Sequence, residues 1–293
     1  MSRLAALLTL LLFVIMLSSV TPVFAAANPF DHRLPFKTAT ISSTISGSEN
    51  GTETLYVADY GRKRARLCET AGKILFVTTK THTLEITDPD WQINIDLAEK
   101  TGTKAISMHK LLKQEYERLS AAEQKVVRAN IAKMGANAGA GGQQQIEYKA
   151  AKHLGRACDV VTIAGMTTYV LAGTDIVVKS DMETMGVKSH TVATSIDTKS
   201  GVGGDRFVVP AGIEVTHDPA MDEQNRQGAR ASINYLKDPQ AAEKSRADYE
   251  EGTRAMEESG YQSGPKQTKE EDGSGATGDA VQQGLDALKG LFK

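Results

Sequence analysis

Between Phe36 and Asp96 the chain repeats one pattern: short runs with apolar or β-branched residues at every second position, each run closed by turn residues. A period of two sends successive side chains to opposite faces of a strand, whereas a helix would scatter the same stripe around its axis. "KTATISSTIS" sets Ala39, Ile41 and Ile45 on one side, and "ETLYVADY" does the same with Leu55 and Val57. Between them, Asn50-Gly51 in "GSENGTE" offers the positive φ angles of a tight hairpin turn. "KILFVTT", "HTLEIT", the turn "DPDW" and "QINIDL" continue the series. No helical stretch separates these strands, so the expectation is an antiparallel meander and not a parallel βαβ sheet.

The period changes between Ile106 and Lys133. Leu111, Leu112, Tyr116, Leu119, Val126, Val127 and Ile131 recur at helical spacing, and Ser120 with Glu123 three residues on reads as an N-cap between two short helices. "GANAGAGGQQQ" ends this insert as a linker. A second strand-rich block runs from Gly155 to Val215, punctuated by Gly165, Gly173 and Gly186, with Pro210 closing the strand "DRFVVPAGIEV". Residues 217–261 form a charged segment patterned weakly for helix, and 262–278 lack the apolar content to order themselves. The last stretch, 279–293, lines up Val281, Leu285, Leu288 and Phe292 on one helical stripe, a surface for a partner or a membrane.

The amino terminus sets the compartment. Arg3, the apolar run Leu4 to Leu17 and the small-residue stretch "VFAAA" make a cleavable signal peptide over 1–25, with cleavage after Ala25 or Ala27. The run is shorter than the ~20 residues of a membrane span, although an uncleaved anchor is the competing reading. The expected location is therefore the periplasm or the exterior. With 34 Lys and Arg against 36 Asp and Glu, the net charge of -2 implies no polyelectrolyte partner. The 2 cysteines, Cys68 and Cys158, are expected to pair once the chain leaves the reducing cytosol, a bond worth roughly 4 kcal/mol in the chain-entropy picture. Two free buried thiols are the alternative.

"YGRKRARLCET" concentrates Arg62, Lys63, Arg64 and Arg66. In a strand the three arginines share one face, as solvated charges, as ion pairs with Glu69, or as a contact for an anionic ligand such as a phospholipid head group. No aromatic residues interleave to stack bases, so nucleic acid is not expected. Catalytic signatures are lacking too. The 6 histidines (His32, His82, His109, His153, His190, His217) stand without a close second ligand, no Gly-x-Ser-x-Gly elbow occurs, and "GVGGD" opens no helix. No enzyme activity, cofactor or metal is expected.

The second block resembles secreted bacterial proteins of the outer-membrane lipoprotein-carrier-like superfamily, the LolA/LppX-like half-barrels, in an uncharacterised branch. The similarity is carried by Gly155 to Cys158, Asp175 to Lys179, Ala193 to Ile196 and Phe207 to Gly212, with "LYVADYGRKRARLCET" and "DPDWQINIDL" fitting in the first block. The resemblance implies a half-open antiparallel β-barrel over residues 36–216, with a helical insert at 106–133 and an apolar concave face that binds acyl chains or lipidated segments. It also implies, for some relatives, a sensor role against a membrane-protein partner. The expected fold is thus α+β: a curved antiparallel sheet with a helical insert and a helical or disordered C-terminal tail. The expected function is periplasmic lipid or lipoprotein binding, the alternative a non-enzymatic envelope module that docks a membrane protein.

Overall fold

The computed structural model describes residues 28–31, 33–74, 77–137, 145–163, 166–184, 187–241 and 243. Residues 1–27, which hold the expected signal peptide, the chain beyond residue 243 and with it the stripe Val281, Leu285, Leu288, Phe292 lie outside these residues. Six strands come first: β1 (Ala39–Gly47), β2 (Glu49–Ala58), β3 (Lys63–Ile74), β4 (Val77–Thr87), β5 (Trp91–Asp96) and β6 (Thr101–Ile106). Helices α1 (Met108–Glu117) and α2 (Ala121–Asn137) follow. Then come β7 (Gln145–His153), β8 (Arg156–Ile163), β9 (Met166–Leu171), β10 (Val177–Thr184), β11 (Val187–Asp197), β12 (Glu214–His217) and α3 (Pro219–Lys237). The strands form one open 12-stranded sheet in the order β12-β6-β5-β4-β3-β2-β1-β11-β10-β9-β8-β7. β12 runs parallel to β6, and the other neighbours are antiparallel.

The sheet curls at the β7 end. A flat sheet would hold β7 four strand spacings, about 19 Å, from β11. Yet His153 Nε2 in β7 donates to the Ala193 carbonyl of β11 at 2.7 Å, and Arg156 donates to Thr198 Oγ1 at 2.8 Å. Register slips help to bend it, at Ser42/Ser43 against β11, at Val177/Lys179 between β10 and β9, and at Glu147/Ala151 in β7. β7 is an edge strand, and its irregularity with exposed Lys149 and Lys152 guards it against pairing with another chain.

Three apolar cores result. The first is helical: Leu111, Leu112, Tyr116, Val127, Ile131, Ala229, Ile233 and Leu236 pack together with Phe30, whose ring meets Tyr116 edge-on at 5.8 Å. The second fills the curl with Leu34, Ala39, Ile41, Val57, Cys158, Leu171, Ile176, Val178 and Ala193. The third joins Ala65, Leu84, Ile86 and Ile95. β2 is where the sheet changes sides, since Leu55 and Val57 pack on the second core and Tyr56 on the third. The helical insert does not plug the curl, for its apolar face is spent on α3 and Phe30.

Local sequence explains the helix ends. The Ser120 N–H donates to the Glu123 carboxylate at 2.9 Å and the Glu123 N–H returns to Ser120 Oγ at 3.3 Å, the reciprocal cap read from the sequence. Lys237, in the last turn of α3, adds a 2.8 Å ion pair, and with both contacts the Glu123 carboxyl is lowered to about 2. α3 begins on Asp218, whose side chain accepts from the Met221 N–H, with Pro219 as its first residue.

Three expectations need correction. The first hairpin turns at Gly47, with φ +123°, while Asn50 and Gly51 lie inside β2. Gly51 serves the ladder instead, because a Cβ there would collide with the Glu69 carbonyl of β3. "DRFVVPAGIEV" is not one strand: only Glu214–His217 pairs, after a short 3-10 turn at Gly204–Phe207 and Gly212 at φ +81°. Cys68 and Cys158 stand as separate thiols. They sit in β3 and β8, with five strands between them in the sheet order, and a bond requires Cα atoms within about 7 Å.

Candidate functional site

The basic segment is absorbed into the fold. Arg62 precedes β3 and pairs with Asp59 at 2.8 Å. Arg64 holds both oxygens of Asp175 at 2.9 Å and also donates to the Gly61 carbonyl, which fastens the β2–β3 turn to the turn before β10. Arg66 lies 3.9 Å from Glu53, diagonally placed on β2, so the acids that answer these arginines are Asp59, Asp175 and Glu53 and not Glu69.

On the Ile41 side of the sheet, the register carries Leu55 across to Arg66, Glu85, Asn94, Thr103 and Thr216, and Glu53 across to Cys68, Thr83, Asp96, Thr101 and Glu214. These rows form an open depression of about 550 Å³ over β4, β5, β6 and β12, lined by hydroxyls, the Asn94 amide and the carboxylates Glu85, Asp96 and Glu214. The acids reach Cys68: burial first, then Glu53, Glu49 and Glu85 raise its thiol against the opposing pull of Arg66. Among the described residues no group of three or more His, Cys, Asp or Glu side chains is placed to hold a metal ion.

The reverse side is apolar. There the register carries Tyr56 across to Ala65, Ile86, Ile93, Lys104 and His217, and Thr54 across to Leu67, Leu84, Ile95, Gly102 and Val215. The cover is the segment 204–213, an irregular strap that lays Phe207, Val209 and Ile213 on the strip. Arg206, on this strap, stands over the Tyr56 ring at 5.1 Å. The cover is partial. Four residues of this core are buried and eight are only partly so, whereas the curl buries nine and leaves four partly open.

At its far end the strip meets the helices through a polar latch. The buried Asp222 carboxylate accepts from the Ile106 N–H at 2.7 Å and from His217 Nε2 at 2.8 Å, with Arg226 at 3.8 Å. Burial works to raise this carboxyl, but the Ile106 N–H, His217 and Arg226 outweigh it and hold it below the usual range. His217 meets the Trp91 ring edge-on at 5.6 Å, and Lys104 Nζ lies 5.0 Å over the same ring. Period-two alternation marks Ile86, Ile93 and Ile95 in the sequence; nothing local marks Lys104, Trp91 and His217 as neighbours, since a parallel strand from over 100 residues away completes the group.

No protein-family model matches the chain, and no curated protein sequence does. Among solved structures, an uncharacterized conserved protein from Thermus thermophilus aligns with 63% of this chain and 92% of its own, at 8% identity and a TM-score of 0.39. MucB aligns with 72% of this chain and 66% of its own, at 8% identity and a TM-score of 0.34. PNGF-II aligns with 66% of this chain and 33% of its own, at 11% identity and a TM-score of 0.28. Likenesses this distant carry no activity or ligand across.

Proposed function

We propose that the chain is a non-catalytic binding module of the cell envelope, and that its guest is an acyl chain or a lipidated segment held on the strap-covered strip of β3, β4 and β5. The observation that carries this reading is the unequal cover of the two sheet cores. The curl packs nine buried residues against one another, while the strip keeps Tyr56, Leu67, Ile93 and Leu97 partly open beneath a segment with little regular structure. The leader over 1–25 supplies the compartment, and the resemblance to lipoprotein carriers supplies the class of guest. Native mass spectrometry of the protein purified from its own envelope tests it. Co-purifying acyl mass is expected, and repeated preparations without it, together with no uptake of a long-chain probe, contradict the proposal.

The polar depression favours a second reading, an interaction module that docks an envelope protein. Its carboxylates Glu85, Asp96 and Glu214 suit a basic partner segment. Replacing all three by Gln is then expected to weaken capture of the partner and leave acyl uptake intact. The stripe Val281, Leu285, Leu288, Phe292 offers the other docking element. Deleting 279–293 abolishes association on this reading, and association that survives both changes contradicts it.

A further inference from the structure

The strip is not symmetric, and its two ends differ in charge balance. From Tyr56 on β2 to Lys104 on β6 is four strand spacings, about 19 Å. At the β2 end the cation is Arg206, which already has Asp205 3.7 Å away. At the β6 end the cation is Lys104, and among the described residues no carboxylate pairs with it. Asp222, the acid of the latch, is buried and spent on the Ile106 N–H, His217 and Arg226. Lys104 thus lies on the face of Trp91 with its charge unanswered, directly beside Ile93 in the row that runs on through Ile86 and Ala65 to Tyr56.

We propose that the strip takes an anionic amphiphile in one orientation, with its acidic head on Lys104 beside Trp91 and His217 and its chain laid across β5, β4 and β3 toward Tyr56. This rests on the reading of the strip as an acyl site and adds the sign of the head group and the direction of the chain. A cation over an aromatic ring with an apolar lane leading from it suits a head that carries full negative charge, because such a head supplies the partner that Lys104 lacks. A cationic head would meet Lys104, Arg226 and Arg206, while among the described residues Asp205 and Asp222, the acids at the two ends, already face Arg206 and His217 with Arg226.

The chain has one tryptophan, so Trp91 emission reports on the head site directly. Full-length protein is titrated with palmitate, with hexadecyltrimethylammonium and with acetate, below micelle formation, by calorimetry and by Trp91 fluorescence. Palmitate is expected to bind about tenfold more tightly than the trimethylammonium and to shift Trp91 emission, with acetate silent. Lys104→Glu is expected to lose about tenfold for palmitate and to narrow or reverse the preference. Lys104→Gln gives an intermediate loss, and Lys125→Glu, the same charge change on the exposed side of α2, gives none. If both amphiphiles bind alike and Lys104→Glu changes nothing, the head assignment is overturned and the apolar site stands. Should neither amphiphile bind the folded protein, the acyl reading falls and takes the head site with it. Acetate that binds as well as palmitate overturns the lane and leaves only a site for small anions.

Discussion

One sheet here builds its two halves in opposite ways. In the half made by β1, β2 and β7 to β11, the Ile41 side bends round on itself until His153 of β7 touches β11, and nine buried residues fill the hollow. In the half made by β3 to β6 and β12, the same side is polar, and the apolar stripe has moved to the reverse, where a strap closes it only in part. A curved sheet therefore does not by itself make a greasy hollow. What decides is which side each strand's alternation faces and how well the chain covers it.

Mutations that empty one core and spare the other separate the halves most strongly. Ile41→Ala, in the filled curl, is expected to lower stability by about 3 kcal/mol in urea unfolding, because the closed surroundings cannot collapse onto the space. Ile93→Ala, at the open strip, is expected to cost about half of that and to weaken acyl uptake. Equal losses at the two sites would erase the distinction between a filled and a half-covered core.

Next in size is the latch. Asp222→Ala leaves the Ile106 N–H without its acceptor and is expected to cost about 2 kcal/mol, with a change in the Trp91 signal through His217. A loss below about 0.5 kcal/mol would show that the helical core docks without it.

The smallest effects sit at the start of α2, away from both halves. Ser120→Ala is expected to cost about 1 kcal/mol by removing the cap of α2. Glu123 has a folded-state value of about 2 against an ordinary 4.5, so its carboxylate contributes stability that is full above about 4.5 and drains away as pH falls toward 2. In Glu123→Gln the fall of stability across that window is expected to be shallower than in the parent. An unchanged slope would mean that Lys237 and Ser120 do not hold the carboxylate.

The sequence makes the strands legible because their signal is local. Ile93 and Ile95 alternating with Asn94 announce β5 without any partner, and Ser120 with Glu123 announces the start of α2. Which side a stripe faces is another matter, since it depends on distant cover. Nothing near Ile86 or Ile95 says that Phe207, Val209 and Ile213 will lie over them, and "DRFVVPAGIEV" reads as a strand until Pro210 and Gly212 spend it on the strap. Asn50-Gly51 is a good hairpin signal alone, yet the turn goes to Gly47, where the chain can take φ +123°. The expected compartment and the number of cysteines argue for a bond between Cys68 and Cys158, and the order of strands keeps them apart. The arginines of the basic segment are visible at once, while Asp175, 111 residues from Arg64, is not.

The most direct test of where a guest sits is hydrogen exchange on the full chain, with and without palmitate, read peptide by peptide. Slowed exchange in 204–213 and in β3 to β5, with β1, β10 and β11 unchanged, is the expected result. Slowed exchange confined to β1, β10 and β11, with the strap unaffected, would place the guest in the curl and contradict the assignment of the strip.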